Sequence, residues 1–389
     1  MLLLHLHWST LARRLLRLDP WLLLATLFLL GVGTVTIYST GIQSGGGFAT
    51  YWQRQLLWAA LGLAAYLGLA LMDYRRLGRG VWFAYGAALA LLVLVLLFGR
   101  SVYGSKSWLP LLGFTLQPSE LAKPATLLML AWVASRPGWR PDHLGPLLPL
   151  AAVLAIPLGL VFLQPDWGTA LAFLGIAIPL CFAGGLPWRL ILAGLALVAV
   201  LAPVGYLYAL KPYQRDRIAT FLNPARDLTD SGWSARQSML AVSSGGLHGK
   251  GFMKGTMHVL GYLPRTVAPT DFIFSVVAEE NGFIGGVVVI GAFLLIILRC
   301  LRIAALSSDE FGAYLAVGSA GLLFVHAYIN IGMNMQAAPI IGIPLPLVSY
   351  GGSFVVGTMI CLGLVQSVYV HNGHPPETAR EEPFLLDPL

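Results

Sequence analysis

The chain has 389 residues, of which 57% are hydrophobic and only 11% are charged, and its formal net charge is +7. Soluble domains carry about 25% charged residues, so this composition excludes an ordinary soluble enzyme and indicates a membrane protein. Uncharged apolar runs that can cross a hydrocarbon core of about 30 Å recur along the chain. The sequence carries no nucleic-acid-binding motif, so we expect no nucleic-acid partner.

Ten apolar segments predict an all-α polytopic membrane protein with about ten transmembrane helices. We place them at residues 21–39, 55–72, 81–98, 118–135, 145–163, 167–185, 190–209, 272–298, 311–333 and 346–369. Residues 1–20 are predicted to form a cytoplasmic amphipathic arm, and residues 21–371 a single membrane domain. Residues 372–389 are predicted to be a disordered cytoplasmic tail.

The basic residues of the short loops predict the orientation of the helices. Arginines lie in the N-terminal arm and after spans 2, 4, 6 and 8, which all fall on one side of a ten-span protein. Short cytoplasmic loops are enriched in Lys and Arg, so we expect both termini in the cytoplasm. One large extracytoplasmic loop, residues 210–270, then lies between spans 7 and 8.

This loop has a charge that its topology does not explain. Residues 211–270 contain eight basic and three acidic residues, an excess of +5 (8 − 3). Long loops are translocated largely regardless of charge, so the excess favours binding of an anionic substrate. Asp271 follows directly and opens span 8. A single carboxylate beside cations suits a general base that acts next to a phosphate group.

Further polar residues are predicted at the outer ends of several spans. Ionisable groups at a membrane usually face a protein-lined cavity, so we expect one shared cavity that opens outward. Glu120 and Lys123 are three residues apart and can pair on one face of span 4. The residues at these outer ends are Arg54, Glu120, Lys123, Asp166, Ser349 and Tyr350.

Two acids lie deeper in span 8. Glu279 and Glu280 form either a structural pair bonded to neighbouring helices or a functional group. The sequence does not decide between these two interpretations. Asn281 and Gly282 follow, and a break in the helix is expected there.

The remaining candidate polar residues favour structural roles. His326, Asn330 and Asn334 recur every four residues on span 9, a stripe that favours interhelical hydrogen bonding over catalysis. His248 and His258 lack metal-ligand spacing, and we interpret them as surface histidines.

From the residues alone, two classes of protein fit. One is an enzyme that acts on an anionic, lipid-linked substrate at the outer leaflet. The other is a transporter with a central polar cavity, but such proteins place their sites near the bilayer midplane and contain internal repeats. The polar residues here concentrate at one face and no convincing repeat is visible, which favours the enzyme.

Several longer motifs make the sequence similar to the SEDS (shape, elongation, division and sporulation) family. The resemblance extends from about Asp19 to His371. The motifs are Gln117-Pro118-Ser119-Glu120-Leu121-Ala122-Lys123, Gln164-Pro165-Asp166-Trp167-Gly168-Thr169, Tyr213-Gln214-Arg215-Asp216-Arg217, Phe221-Leu222-Asn223-Pro224, Gly249-Lys250-Gly251, Thr270-Asp271-Phe272-Ile273-Phe274 and Ser349-Tyr350-Gly351-Gly352-Ser353.

The resemblance implies a peptidoglycan glycosyltransferase of the bacterial plasma membrane, with its active site facing the extracytoplasmic side. Such an enzyme polymerises lipid II by inverting displacement of undecaprenyl pyrophosphate from a lipid-linked glycan. Residues 364–367 and His371 favour the elongation branch over the division branch of the family. The alternatives are a division-type enzyme, a lipid II flippase, or a scaffold.

The resemblance also implies roles for particular residues and partners. Asp271 is the expected general base, and a divalent cation, Mg or Mn, is the expected cofactor. Glu120 and Asp166 are the candidate metal ligands. A class B penicillin-binding transpeptidase and other elongation-complex membrane proteins are the expected partners. The candidate substrate-binding residues are Arg54, Glu120, Lys123, Arg215, Arg217, Lys250, Ser349 and Tyr350. Among them, the cations Arg54, Arg215, Arg217 and Lys250 are the candidates for binding the pyrophosphate.

Overall fold

The structure of the protein is a computed structural model that describes residues 14–44, 46–102, 105–111, 114–210, 212–223 and 231–372. The predictions for residues 1–13 of the arm and 373–389 of the tail lie outside the described residues. Within the arm, Arg14 donates a hydrogen bond of 2.9 Å to the carbonyl of Leu71.

The described residues fold mainly into helices, which we number α1 to α13 in chain order. They are α1 Pro20–Ser44, α2 Tyr51–Leu71, α3 Val81–Phe98, α4 Pro118–Ala134, α5 Leu144–Leu163, α6 Trp167–Ala183, α7 Trp188–Val204, α8 Pro212–Leu222, α9 Ser231–Ser244, α10 Thr256–Val259, α11 Ile273–Ala305, α12 Glu310–Asn334 and α13 Gly352–His371. Short 3₁₀ helices cover Gly46–Thr50 and Tyr74–Gly80, and a π-helical turn covers Gly205–Ala209.

The predicted all-α polytopic class is confirmed, and each of the ten predicted spans coincides with one helix, α1 to α7 or α11 to α13. Among the described residues, eight helical segments are long and apolar enough to cross a membrane. The other two predicted spans, α4 and α6, are helices of 17 residues. Helix α4 carries Glu120 and Lys123 in its first two turns, which makes it less apolar than the other predicted spans.

A small antiparallel sheet between α3 and α4 was not predicted. Its strands are β1 Arg100–Val102, β2 Ser105–Leu111 and β3 Phe114–Leu116, in the order β1-β2-β3. In the second pair, Leu109 lies opposite Leu116. The strands are too short for an alternating pattern to stand out beside two long apolar spans.

The core of the bundle is built around α4, α12 and α13. Helix α13 packs on α2 and α4, while α12 packs on α4, α6 and α11. Gly357 permits the α4–α13 approach, because a Cβ atom there would lie 2.6 Å from the Glu120 carbonyl oxygen. Small residues at helix interfaces allow such close packing in membranes. Helix α7 differs, since nearly all of its described side chains are exposed.

The large segment between α7 and α11 is more ordered than the predicted loop. Its described residues include three helices, α8, α9 and α10, and α9 packs against α11. The glycine-rich residues 245–251 lie across α11 at the point where that helix breaks.

The predicted break in α11 is confirmed at Gly282, which has φ 68° and ψ −165°. Only glycine adopts such angles without strain. The glycine-rich segment replaces the missing helical hydrogen bonds with four of its own. The bonds are Lys250 N to Glu279 O (3.0 Å), Gly251 N to Glu280 O (3.0 Å), Phe283 N to Gly246 O (2.8 Å) and Ile284 N to Leu247 O (3.2 Å).

Candidate active site

Asp271 lies in a turn that leads into α11. The carbonyl of Val267 accepts hydrogen bonds from the backbone N–H groups of Thr270 (3.2 Å), Asp271 (3.0 Å) and Phe272 (3.1 Å). These bonds close the turn and leave the half-buried Asp271 side chain in front of the helix. The turn therefore presents one carboxylate at the start of a predicted transmembrane helix.

The electrostatic surroundings of Asp271 favour a proton acceptor that works near neutral pH. Burial raises the pKa of Asp271 to about 6, the Arg217 guanidinium opposes this rise, and the Asp166 carboxylate adds to it. A general base is most effective when its pKa lies close to the working pH. Arg217 also lines a small cavity together with Phe221 and Gln336.

The segment before Asp271 is fastened to the segment that precedes α13. The Ser349 hydroxyl donates to the Thr270 carbonyl (2.5 Å) and accepts from Leu345 N (2.7 Å). Tyr350 N donates to the Pro269 carbonyl (2.9 Å). Ser349 is fully buried, so its contacts are with the protein backbone. Its predicted role in binding substrate stays a prediction.

Two amides of α12 hold the main chain of Asp271 itself. Asn330 Nδ2 donates to the Asp271 carbonyl at 2.9 Å, and Asn334 Nδ2 donates to the same oxygen at 3.0 Å. The stripe on span 9 is hydrogen-bonded as predicted, but these two amides bond to a main-chain carbonyl just before α11 instead of to another helix. No feature of the sequence indicates that their target is the predicted base.

The Glu120–Lys123 pair predicted from their spacing is confirmed. Lys123 Nζ lies 2.8 Å from each carboxylate oxygen of Glu120 and 3.2 Å from His326 Nε2. All three side chains are at least 96% buried. They line a small cavity beside Phe354.

Asp166 links the N-terminal end of α6 to the N-terminal end of α4. It caps α6, because its carboxylate accepts from Thr169 N (3.1 Å) and from the Thr169 hydroxyl (2.9 Å). It also accepts from Gln117 Nε2 at 3.2 Å. Gln117 N in turn donates to Ser353 Oγ at 3.1 Å, which links the start of α4 to the start of α13.

Arg54 and Tyr350 meet at the N-terminal end of α2. The Tyr350 ring stacks on Tyr51 with centroids 4.2 Å apart. Burial and Tyr51 raise the pKa of Tyr350, whereas a hydrogen bond with Arg54 and its positive charge lower it. Arg54 is exposed. These two predicted binding residues therefore lie together.

Two of the predicted pyrophosphate-binding cations have other partners. Arg215 donates to the carbonyls of Leu210 (3.1 Å) and Leu207 (2.6 Å), which lie just after the end of α7. Lys250 Nζ lies 2.7 Å from Glu279 Oε1. Arg215 and Arg217 are each half-buried, and their predicted role in binding substrate stays a prediction.

The structural reading of Glu279 is the one that the geometry favours. Glu279 has no exposed surface and accepts from Lys250 Nζ, Thr256 N (2.7 Å) and Met257 N (3.0 Å). The Ser39 hydroxyl donates to Glu280.

The histidine interpretation is half right. His248 is exposed, as expected. His258 is only 2% exposed, so the prediction that it is a surface residue was wrong. Its Nδ1 lies 3.5 Å from Glu279 and its Nε2 lies 3.6 Å from Glu280. Packing of α10 against the broken helix, which no local pattern reveals, causes the difference.

The described residues contain no group of three or more His, Cys, Asp or Glu side chains arranged to hold a metal ion. Glu120 does not fit the predicted ligand role, because both of its oxygens accept from Lys123. A carboxylate has about four acceptor positions, and Asp166 uses three of them. One acceptor position of the Asp166 carboxylate thus remains, and its role as a metal ligand stays a prediction.

These features define a multi-pass membrane protein with a carboxylate site at one end of its helix bundle. The family model for the cell cycle protein family FTSW_RODA_SPOVE matches residues 20–374. The match covers most of the chain, and the protein belongs to this family.

Relatives of both main branches are similar over nearly the whole chain. The peptidoglycan glycosyltransferase MrdB of Escherichia coli K12 is 37% identical, over 91% of this chain and 94% of its own length. The probable peptidoglycan glycosyltransferase FtsW of Trichlorobacter lovleyi is also 37% identical, over 95% and 97%. A chain from a solved peptidoglycan synthase complex, which coordinates polymerization and crosslinking, superposes with a TM-score of 0.77 at 32% identity, covering 92% and 99%.

Proposed function

We propose that this protein is a peptidoglycan glycosyltransferase that polymerises lipid II, with Asp271 as the general base. One observation carries the proposal. Asp271 is half-buried beside Arg217, and burial raises its pKa to about 6. The carboxylate is thus ionised at neutral pH yet basic enough to accept a proton from a sugar hydroxyl as that hydroxyl attacks.

The proposed reaction is a single displacement with inversion. The 4-hydroxyl of the acceptor GlcNAc attacks the anomeric carbon of the glycan that is α-linked to undecaprenyl pyrophosphate. The new C–O bond is the β-1,4 linkage, and the C–O bond to pyrophosphate breaks with its electron pair. Asp271 takes the hydroxyl proton. One carboxylate suffices because no covalent intermediate with the enzyme is formed.

Arg217 is the cation best placed to stabilise the departing pyrophosphate. It acts electrostatically on Asp271 and lines a small cavity with Phe221 and Gln336. Fixed cations that face developing negative charge lower the barrier of such reactions. Arg54, which is exposed beside Tyr350, can bind the same leaving group from α2. The Lys250 ammonium is held by Glu279 and contributes less directly.

A divalent cation is part of the proposal. Among the described residues, Asp166 is the candidate ligand for a hard cation, because its carboxylate retains one acceptor position. It also lies near Asp271, whose pKa it helps to raise. When bound, such an ion neutralises charge on the pyrophosphate. Depletion of divalent ions is expected to slow polymerisation by the wild-type protein. Addition of Mg or Mn is expected to restore the rate.

The proposal extends to the cellular setting. We assign the enzyme to cell elongation in the bacterial plasma membrane, with its active site on the extracytoplasmic side. A class B penicillin-binding transpeptidase is the expected partner. Support comes from the similarity to a chain of a peptidoglycan synthase complex and from the arginine bias of the loops.

A gel assay with purified protein and lipid II tests the proposal. Wild-type protein is expected to produce a ladder of glycan strands, and Asp271→Asn protein is expected to produce none. A well-folded Asp271→Asn variant that polymerises at the wild-type rate overturns the assignment. Translocation of lipid II across vesicles without any ladder, by wild-type protein, would instead identify a flippase.

A further inference from the structure

The backbone of the proposed base has an unusual pair of partners on a neighbouring transmembrane helix. The Asp271 carbonyl accepts one hydrogen bond from Asn330 and another from Asn334. We propose that Asn330 is a positioning residue that sets the location of the Asp271 carboxylate for the reaction. The inference rests on the proposed function, in which Asp271 is the general base.

Asn330 connects Asp271 to a second part of the site. Its Nδ2 group donates to the Asp271 carbonyl at 2.9 Å and to the Ile343 carbonyl at 2.7 Å. Ile343 follows Gly342, whose position lies against the carboxylate of the base. A Cβ atom on Gly342 would be 3.5 Å from Asp271 Oδ2. A single amide thus fixes the main chain of Asp271 relative to the backbone next to its carboxylate.

Asn334 supports the same carbonyl from one turn further along α12. Its Nδ2 also donates to the Asn330 carbonyl at 2.7 Å. Its Oδ1 accepts from Ser275 N at 3.2 Å and from the Ser275 hydroxyl. The Asn334 amide is therefore oriented by the first turn of α11. Because Asn334 has these additional partners, its replacement would disturb α11 directly, and Asn330 is the cleaner residue to test.

The partners of Asn330 distinguish positioning from ordinary helix packing. An interhelical amide usually bonds to the side chain or backbone of another helix. Asn330 instead bonds to two carbonyls outside the helices, and one of them belongs to the reacting residue. Asn330 is fully buried, so water does not replace these bonds easily. A misplacement of about 1 Å in a catalytic group can lower a rate by about 10²-fold.

The test compares variants of the full-length protein in the lipid II polymerisation assay. Asn330→Leu preserves the size of the side chain and removes the N–H donor. We expect kcat to fall by about 10- to 100-fold, while KM for lipid II stays within about threefold, since no substrate contact is lost.

The pH dependence supplies a readout that a purely structural role would not change. Loosening of the Asp271 turn admits water to the carboxylate, so the pKa of Asp271 falls from about 6 toward its ordinary value. We therefore expect the acid limb of the rate profile of Asn330→Leu to move to lower pH. Asn330→Gln retains the donor and is expected to recover part of the lost rate.

Ser319→Ala is the matched control. Ser319 is a fully buried polar residue of the same helix, but its hydroxyl bonds only to the Leu315 carbonyl one turn earlier, at 2.8 Å. Its removal is expected to leave kcat and the pH profile unchanged. If Asn330→Leu behaves like Ser319→Ala, or loses rate only in proportion to folded protein, the positioning role is wrong.

The two proposals fail in different ways. An active Asp271→Asn variant contradicts the general base and with it the positioning role. An inactive Asp271→Asn variant together with normal kinetics for Asn330→Leu contradicts the positioning role alone. If Asn330→Leu does not fold, Asn330→Gln decides the matter, because a wild-type rate and acid limb with its displaced donor would contradict the positioning role.

Discussion

Two carboxylates, Asp271 and Glu279, lie eight residues apart in the same stretch of chain and have opposite surroundings. Glu279 is fully buried, and its oxygens accept from Lys250, Thr256 and Met257. Asp271 is half-buried, with one cation and one further carboxylate as its electrostatic neighbours. Saturation with donors stabilises the ionised form and fixes its place, which suits an anchor. The less satisfied carboxylate keeps the capacity to accept a proton.

The largest expected effect comes from removing the proton acceptor. Asp271→Asn is expected to lower the polymerisation rate by about 10³-fold, within the range known for general bases. It is not expected to lower the melting temperature, because burial disfavours the ionised form of Asp271 and the neutral amide avoids that cost. Rate measurement on gels and thermal unfolding in detergent check both parts.

Removal of the Glu279 carboxylate is expected first of all to lower the stability of the fold. Glu279→Ala leaves the N–H groups of Thr256 and Met257 without their acceptor, and we expect a loss of about 2–4 kcal/mol. Glu279→Gln retains an acceptor oxygen and should lose less. The exposed Glu310 provides a control, since Glu310→Ala should leave the melting temperature unchanged. Equal melting temperatures for all three variants would contradict the anchor role.

The pH dependence of the rate sharpens the comparison further. Because the base must be ionised and the pKa of Asp271 is about 6, the rate should be constant above pH 7. Below pH 6 it should fall about tenfold per pH unit. An acid limb centred near pH 4, the ordinary range of an aspartate, would contradict the raised pKa of Asp271.

The smallest expected effect concerns the cation beside the base. Arg217 lowers the pKa of Asp271, so Arg217→Ala should move the acid limb to higher pH by less than about one unit. Arg215→Ala is the matched control, because Arg215 bonds to the end of α7. The prediction fails if the two variants show the same limb.

The fold was largely readable from the sequence, because apolar runs and proline or glycine boundaries mark membrane helices directly. The pairing of Glu120 with Lys123 could also be predicted, because residues three positions apart lie on the same face of a helix. The break at Gly282 was foreseen from an Asn-Gly pair inside a polar patch. The sheet around Leu109 and Leu116 was missed because its strands are short.

The site was only partly readable, because its contacts join distant parts of the chain. Lys250 was assigned to pyrophosphate from its charge alone, but its partner Glu279 lies 29 residues further on. His258 was interpreted as a surface residue from its place in the loop, whereas α10 places it against α11. The link between Asn330 and Asp271 spans 59 residues. No periodicity or spacing encodes contacts of this kind.

The interruption of α11 at Gly282 also makes that helix intolerant of insertions. One added residue turns an α-helix by about 100°, so an insertion between Asp271 and Gly282 would rotate Glu279 and Glu280 away from the glycine-rich segment. The four backbone bonds to residues 246–251 would then no longer align. The backbone hydrogen bonds between the glycine-rich segment and α11 thus fix the number of residues that separate the proposed base from the break.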